Sequence, residues 1–226
     1  MKKVLSILLA VLVLSGCAEM GTKQDAYPSM YTPKKPVSIL VVPAINESTA
    51  ADAGDLLNVT VAQPFTNHGY YVMPMTNVAE IFSKEGNLEG TQVKGLPASL
   101  FKKNFGADAE LFMTIESWDK NYAVLAANVA VGIEYVMLST TTNEILWSYE
   151  QEVVVDTSGS SGNLLADVIA TAISTGITDY SVVARQVHAQ AVKALPYGKY
   201  HPRTGTDGAE KSVVLAKKES AVSEVD

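Results

Sequence analysis

Cys17 is the only cysteine in a chain of 226 residues, and its position gives its thiol a definite chemistry. It directly follows Leu14, Ser15 and Gly16 at the end of an apolar run, where a peptidase can cut and a thiol can be alkylated. With no second cysteine to pair with, no disulfide can form in an oxidising compartment. The other reactive side chains are less well placed. His68, His188 and His201 fall in three separate predicted elements, without the short spacing of a zinc site. Each reads as a surface histidine, and no metal or cofactor is assigned. Glu134 lies in an apolar strand and Glu116 and Asp119 near the end of its neighbour, so a shared acid–base site is geometrically possible. Carboxylates on the polar face of a sheet are the commoner arrangement, and the reading is non-enzymatic. Ser158-Gly159-Ser160-Ser161-Gly162 precedes a predicted helix but lacks the Lys-Ser/Thr end of a phosphate loop and the Gly-x-Ser-x-Gly of a nucleophile elbow. It reads as a flexible loop with a helix cap.

The elements that position Cys17 are those of a secretory signal. Lys2 and Lys3 precede the apolar stretch Val4 to Leu14, which is too short to span a bilayer. Leu14-Ser15-Gly16-Cys17 resembles the lipobox cut by lipoprotein signal peptidase. The expectation is removal of residues 1–16, acylation of Cys17 and anchorage in the membrane. Ala18, in place of Asp after the cysteine, resembles the enterobacterial pattern that sorts to the outer membrane, here on its periplasmic face. Removing 16 residues from 226 leaves 210 and takes away two lysines, so the net charge goes from −7 to −9. An acidic chain with no basic run argues against nucleic acid as a partner.

Residues 17–36 are polar, with Pro28, Pro33 and Pro36, and read as a lipidated tether of about nineteen residues spanning roughly 25 Å. The alternative is that Tyr27-Pro-Ser-Met-Tyr31 docks on a partner or on the domain itself. Residues 37–200 read as one α/β domain, and 201–226 as a loose tail.

Within that domain Val37 to Val42 predicts a buried strand stopped by Pro43. Asp52 can cap the helix that follows, with Pro64 disturbing its last turn. Gly69 to Pro74 reads as a strand, Asn77 to Lys84 as a helix, and Gly86 to Gly95 as an exposed connection. Ala98 to Asn104 is a helix closed at Gly106, and Glu110 to Glu116 a strand ending in a turn or bulge at Trp118 to Asn121. Tyr122 to Leu138 alternates with its odd positions apolar and pairs through Thr140 to Asn143 with Glu144 to Val155. Leu164 to Ser174 and a segment capped by Thr178 or Asp179 and running to Leu195 read as helices. The order predicts helices against a mixed sheet of about five strands. Trp118, Tyr122, Trp147 and Tyr149, with the small-residue strip Ala166, Ala170 and Ser174, are mostly core by this reading. Aromatics at strand ends also suit protein contact, so the four are candidate interface residues.

Four ordered stretches carry a family resemblance: Pro36 to Ser48, Pro64 to Pro74, Phe105 to Phe112 and Asn143 to Trp147. They resemble a family of bacterial lipoproteins of unknown function, encoded near lipoproteins similar to the curli secretion channel. The resemblance covers roughly Tyr27 to Arg203 and implies a fold similar to the N-terminal domain of the translocation protein TolB. It implies no catalytic residue. Its genomic neighbours imply a role in assembling or supporting an outer-membrane secretion or transport complex. With the lipobox, the tether and the lack of a catalytic set, this gives the expectation of a non-enzymatic protein that binds itself and partner lipoproteins. The alternative is a periplasmic binding module for a small molecule or envelope glycan, with a groove around the hairpin and the Ser/Gly loop.

Overall fold

The computed structural model describes residues 21–86, 90–123, 126–156 and 180–212. In chain order the strands are β1 (Ser38–Val41), β2 (Ile45–Asn46), β3 (Tyr71–Val72), β4 (Ala109–Ala123), β5 (Ala126–Ser139) and β6 (Ile145–Asp156). The helices among these residues are α1 (Lys23–Ala26), α2 (Ala53–Thr60), α3 (Ala62–Asn67), α4 (Met75–Lys84), α5 (Gly90–Lys94), α6 (Ala98–Phe105) and α7 (Ser181–Ala194).

Ile39, Leu40 and Val41 are all fully buried, because β1 lies between two parallel neighbours with both faces of the sheet covered. The sheet runs β3-β1-β4-β5-β6, parallel at the β1 end and antiparallel through the β4–β5–β6 meander. β2 continues the parallel pairing along β4, at Ile45 opposite Thr114, and makes the sixth strand. The domain is a single mixed α/β unit, and β2 is the strand that composition did not separate, since Pro43 interrupts the run only briefly.

Alternate side chains supply two cores. Ile39, Val41, Leu111, Met113, Ile115 and the odd positions of β5 face α2, α3 and α7. Leu40, Val42 and Phe112 face α4, α5 and α6 through Val78, Phe82, Val93 and Phe101. The predicted odd-position alternation from Leu125 holds at Val129, Val131, Ile133, Tyr135 and Met137, all buried.

Several local expectations are corrected. Trp118 to Asn121 do not turn; β4 continues to Ala123, and the irregularity sits between Ile115 and Ser117. Tyr122 therefore belongs to β4 and not to the strand that follows. Asp52 stands at the start of α2 but makes no side-chain cap bond. Gly86 to Gly95 is not all exposed connection: residues 90–94 are helical, with Gly90 and Val93 buried. A Cβ on Gly90 would collide with the Pro43 carbonyl, so glycine there lets α5 close on the β1–β2 loop. The expected helix Leu164 to Ser174, the loop 157–162 and the caps Thr178 and Asp179 lie outside the described residues.

The larger correction is at the termini. The stretch read as a tether packs on its own domain from Thr22 onward, because single anchors bury where no periodic face exists. Thr22 caps α1 in a reciprocal box with Asp25, Met30 is 2% exposed, and the Tyr27 hydroxyl donates to the Ser148 carbonyl at 2.9 Å. Residues 201–212, expected to be loose, close over it. Thr22 bridges Lys211, the Lys23 amide donates to the Glu210 carbonyl at 2.8 Å, and the Ser212 amide to Gly21 at 2.8 Å. Inside this clasp the buried Lys23 ammonium meets Asp207 at 3.5 Å and Glu210 at 3.1 Å. Asp207 is fully buried and its Oδ2 also accepts from the Tyr197 amide at 3.0 Å.

Candidate functional site

Two grooves among the described residues approach 500 Å³. One, of about 490 Å³, lies between α2 and α4 beyond the end of β1, where open α/β sheets commonly bind ligands. Its walls are Val41, Val59, Met75 and Val78, and its best-placed polar group, the Asn58 side-chain carbonyl, already accepts from the Ala44 amide at 3.0 Å. It has no buried polar group waiting for a partner.

The other, of about 470 Å³, opens on the sheet face carrying the smaller core, where the α5–α6 connection ends and β5 passes out from under it. Strand alternation puts Glu110, Phe112 and Thr114 of β4 on this face beside Leu138, Val136 and Glu134 of β5, in that register. Lys94, Leu96 and Pro97 form the opposite wall. Glu110 sits between Leu40 and Leu138 in adjacent strands and is 2% exposed, and its Oε2 has no hydrogen-bond partner. Burial pushes its carboxyl up to about 7. A buried acceptor left without a donor costs stability, so such a group is either a liability or a binding feature.

On the other face of the sheet His188 of α7 is fully buried beneath Tyr135. Its Nε2 lies 3.1 Å from the Leu57 carbonyl, which can only accept, so the proton is on Nε2. Nδ1 then accepts from the Tyr135 hydroxyl at 2.9 Å. Burial lowers its pKa to about 4, with the Leu57 contact opposing. The surface assignment of this histidine is thus corrected: it lies on the face of α7 that buries Ala184, Val187, Ala191 and Val192 against the sheet.

These two groups act oppositely on stability. The folded chain holds the Glu110 proton up to about pH 7, whereas an unfolded carboxyl releases it near its ordinary value of 4.5, so stability falls as pH rises across that window. Unfolding lets His188 take a proton from about pH 6.5 down to about 4, so stability rises with pH over nearly the same range. In the wild type the two slopes largely cancel. Glu110→Gln is expected to stabilise the protein by about 2 kcal/mol at pH 8, after allowance for screening by water at the groove mouth, with no gain near pH 4. Urea unfolding of both chains across pH measures this directly, and a pH-independent difference refutes it.

The remaining sequence candidates separate. Trp118, Trp147 and Tyr149 are 2%, 0% and 7% exposed and belong to the main core, where Trp147 packs on Tyr149 with ring centres 6.0 Å apart. Their apolar area is spent inside the chain, which corrects their assignment as interface residues. Tyr122 lies in β4, with its side chain outside the described residues. Glu116 is at the strand irregularity, and Asp119 pairs with Ala130, four residues along β5 from Glu134, roughly 13 Å away. Asp119 and Glu134 are therefore too far apart to act as a pair, whereas Glu116 lies on the Glu134 side of the sheet, its Cβ 3.8 Å from where a Cβ on Gly132 would stand. Glu134 shares its groove with Glu110, which sequence reading passed over as the first residue of a strand. The available signal was parity, since Leu111, Met113 and Ile115 place Glu110 on the opposite face of a strand that is covered on both. His68 and His201 come together around Tyr197, with ring centres 4.7 and 3.9 Å from it. His68 Nε2 is committed to the Leu195 carbonyl at 2.7 Å. Among the described residues no three His, Cys, Asp or Glu side chains converge for a metal.

Residues 27–199 match the family model described as "Putative lipoprotein GNA1162-like", and residues 1–18 match the model of the prokaryotic membrane lipoprotein lipid attachment site. The chain is 28% identical over 174 residues to "Putative lipoprotein NMB1124/NMB1162" of Neisseria meningitidis serogroup B, covering 77% of this chain and 80% of that protein. It is also similar to the crystal structure of lipoprotein GNA1162 from Neisseria meningitidis. That match has 26% identity and a TM-score of 0.53, and covers 64% of this chain and 99% of the other.

Proposed function

The chain belongs to the GNA1162-like lipoprotein family, and from this premise we propose that it is a non-enzymatic envelope lipoprotein acting through protein–protein contact. It is a membrane-anchored lipoprotein. In the proposed reading Cys17 is the acylated residue, the anchor lies in the outer membrane on its periplasmic face, and the domain associates with itself and with partner lipoproteins. The complex it supports is one of secretion or transport, as the curli-channel context and the TolB-like fold of the resemblance imply.

The observation that supports this reading is the shortness of the leash. Gly21 is held by the Ser212 amide, so four residue steps separate it from Cys17. Fully extended, four residues reach about 14 Å. A domain kept so close to a bilayer meets other envelope proteins in a restricted orientation, which raises their effective concentration. Crosslinking in intact cells followed by mass spectrometry is expected to recover specific envelope lipoproteins and copies of the chain itself. Recovery of only abundant bystanders counts against the reading.

A second reading, a periplasmic binding module for a small molecule or glycan, draws on the Glu110 groove, whose volume and mixed lining fall within the range of ligand sites. It predicts ligand-dependent thermal stabilisation that is lost when Val136→Trp fills the groove.

A further inference from the structure

We infer that the groove between β4–β5 and the α5–α6 connection takes a primary ammonium on an unbranched hydrocarbon stem, as a lysine side chain carries, with the ammonium on Glu110. The inference rests on the second reading above, that this groove is a binding site, and adds the chemistry of the occupant.

Glu110 Oε2 is buried and unpartnered, and an ionised carboxylate can only accept, so what it lacks is a donor. A charged donor satisfies it best, because charge-assisted hydrogen bonds are roughly twice as strong as neutral ones. No cation of the described chain fills the place: Lys94 stands at the opposite wall, and no ion pair joins it to Glu110. A divalent metal fits poorly, since it needs several oxygens within about 2.6 Å. Glu134, the other carboxylate of the groove, lies four residues along the sheet from Glu110, roughly 13 Å away.

The stem follows from what lies between them. Phe112 and Val136 face each other in register on the groove floor, and Leu138 stands beside Glu110. A chain of four or five methylenes lies along that floor while its head reaches the carboxylate, as amphipathic side chains do elsewhere. Glu134 stands at the far end of that floor, within reach of the backbone N–H donors when the stem belongs to a lysine. Binding requires Glu110 ionised, and the charged groups facing it across the groove are Lys94 from α5 and Glu134 from β5. Affinity therefore rises between pH 6 and pH 8, over the range in which the buried carboxyl titrates.

The test is calorimetric titration of the full-length lipidated protein in detergent at pH 8. The probes are n-pentylamine, 1-pentanol, N-acetyl-lysine methylamide and N-acetyl-norleucine methylamide. The expected result is that each ammonium binds at least tenfold more tightly than its neutral counterpart. Glu110→Gln is expected to remove that preference, Glu134→Gln to reduce it by a smaller factor, and Val136→Trp to abolish binding. Because Glu110→Gln is expected to stabilise the fold, its loss of binding is not unfolding. Preference for the lysine amide over pentylamine identifies a partner polypeptide as the source, and the reverse a free amine. Equal binding of pentanol, an ammonium preference that survives Glu110→Gln, or no binding of either ammonium overturns the proposal. If neutral sugars or alcohols bind and lose binding in Val136→Trp, the groove remains a ligand site and only the ammonium assignment falls.

Discussion

Replacing Cys17 with Ala, behind an ordinary cleavable signal in place of residues 1–16, should move the protein quantitatively from the membrane to the soluble fraction of the envelope. Each buried methylene of an acyl chain is worth about 0.8 kcal/mol, and one chain alone binds reversibly while two or more hold firmly. Loss of all of them lowers membrane partition by many orders of magnitude. The exchange of signal matters, because a lipoprotein signal left uncut would itself hold the chain in the bilayer. Nothing else described replaces the anchor: no described helix is long and apolar enough to cross a membrane, and the net charge of −9 left without residues 1–16 does not favour anionic lipid. Fractionation and carbonate extraction measure the result, and persistence of the Cys17→Ala variant in the pellet refutes acylation of this residue as the anchor.

Asp207→Ala should cost about 3–5 kcal/mol of folding stability, because it leaves the Lys23 ammonium buried with half its pairing gone. Lys23 is 3% exposed and Asp207 fully buried, whereas Glu210, the other partner, is partly solvated and shared with Arg203 at 2.8 Å. The Tyr197 amide loses its acceptor in the same step. For a domain of this size the loss corresponds to a fall in melting temperature of about 10 °C. It also releases the clasp between residues 21–24 and 208–212, so the span from the anchor to the folded domain lengthens. Proteolysis near Thr22 should then accelerate in step with the loss of stability. The double variant Lys23→Met, Asp207→Leu should recover most of the stability, since removing both charges removes the penalty of either alone. A loss below about 1 kcal/mol in Asp207→Ala would show that water reaches the clasp and screens it.

How much was legible depended on how local the signal was. The lipobox is four consecutive residues behind an apolar run, and no folding is needed to read it. β1 announced itself through a β-branched run ended by Pro43, and Thr140 to Asn143 announced the β5–β6 turn, where Asn143 takes the left-handed backbone expected of a turn residue. Gly106 likewise closes α6 with φ of 71°. The odd-position alternation of β5 gave both its state and its buried face. The β4–β5 turn was misplaced because Trp118 to Asn121 is polar enough to resemble one. The irregularity between Ile115 and Ser117 keeps Trp118 facing the core while the strand goes on.

Burial of isolated side chains was not legible. Met30, Lys23 and Asp207 sit in segments whose composition reads as polar, and they are buried by residues distant in sequence, as where residues 207–210 close over Lys23. Glu110 belongs to the same class. Its parity assigns it a face, but only the placement of α5 and α6 makes that face a half-roofed groove and not open solvent.

By itself, then, the sequence determined the lipid attachment signal at Cys17, the α/β class and most of the strand order, because these are written in contiguous runs and short-period patterns. Tertiary structure alone decided that the chain from Thr22 onward packs on its own domain, that Trp118, Trp147 and Tyr149 are buried, and that Glu110 is a buried carboxylate whose Oε2 has no partner. Each of those depends on contacts between residues scores of positions apart, and their free energies exist only once the chain has brought the two sides together.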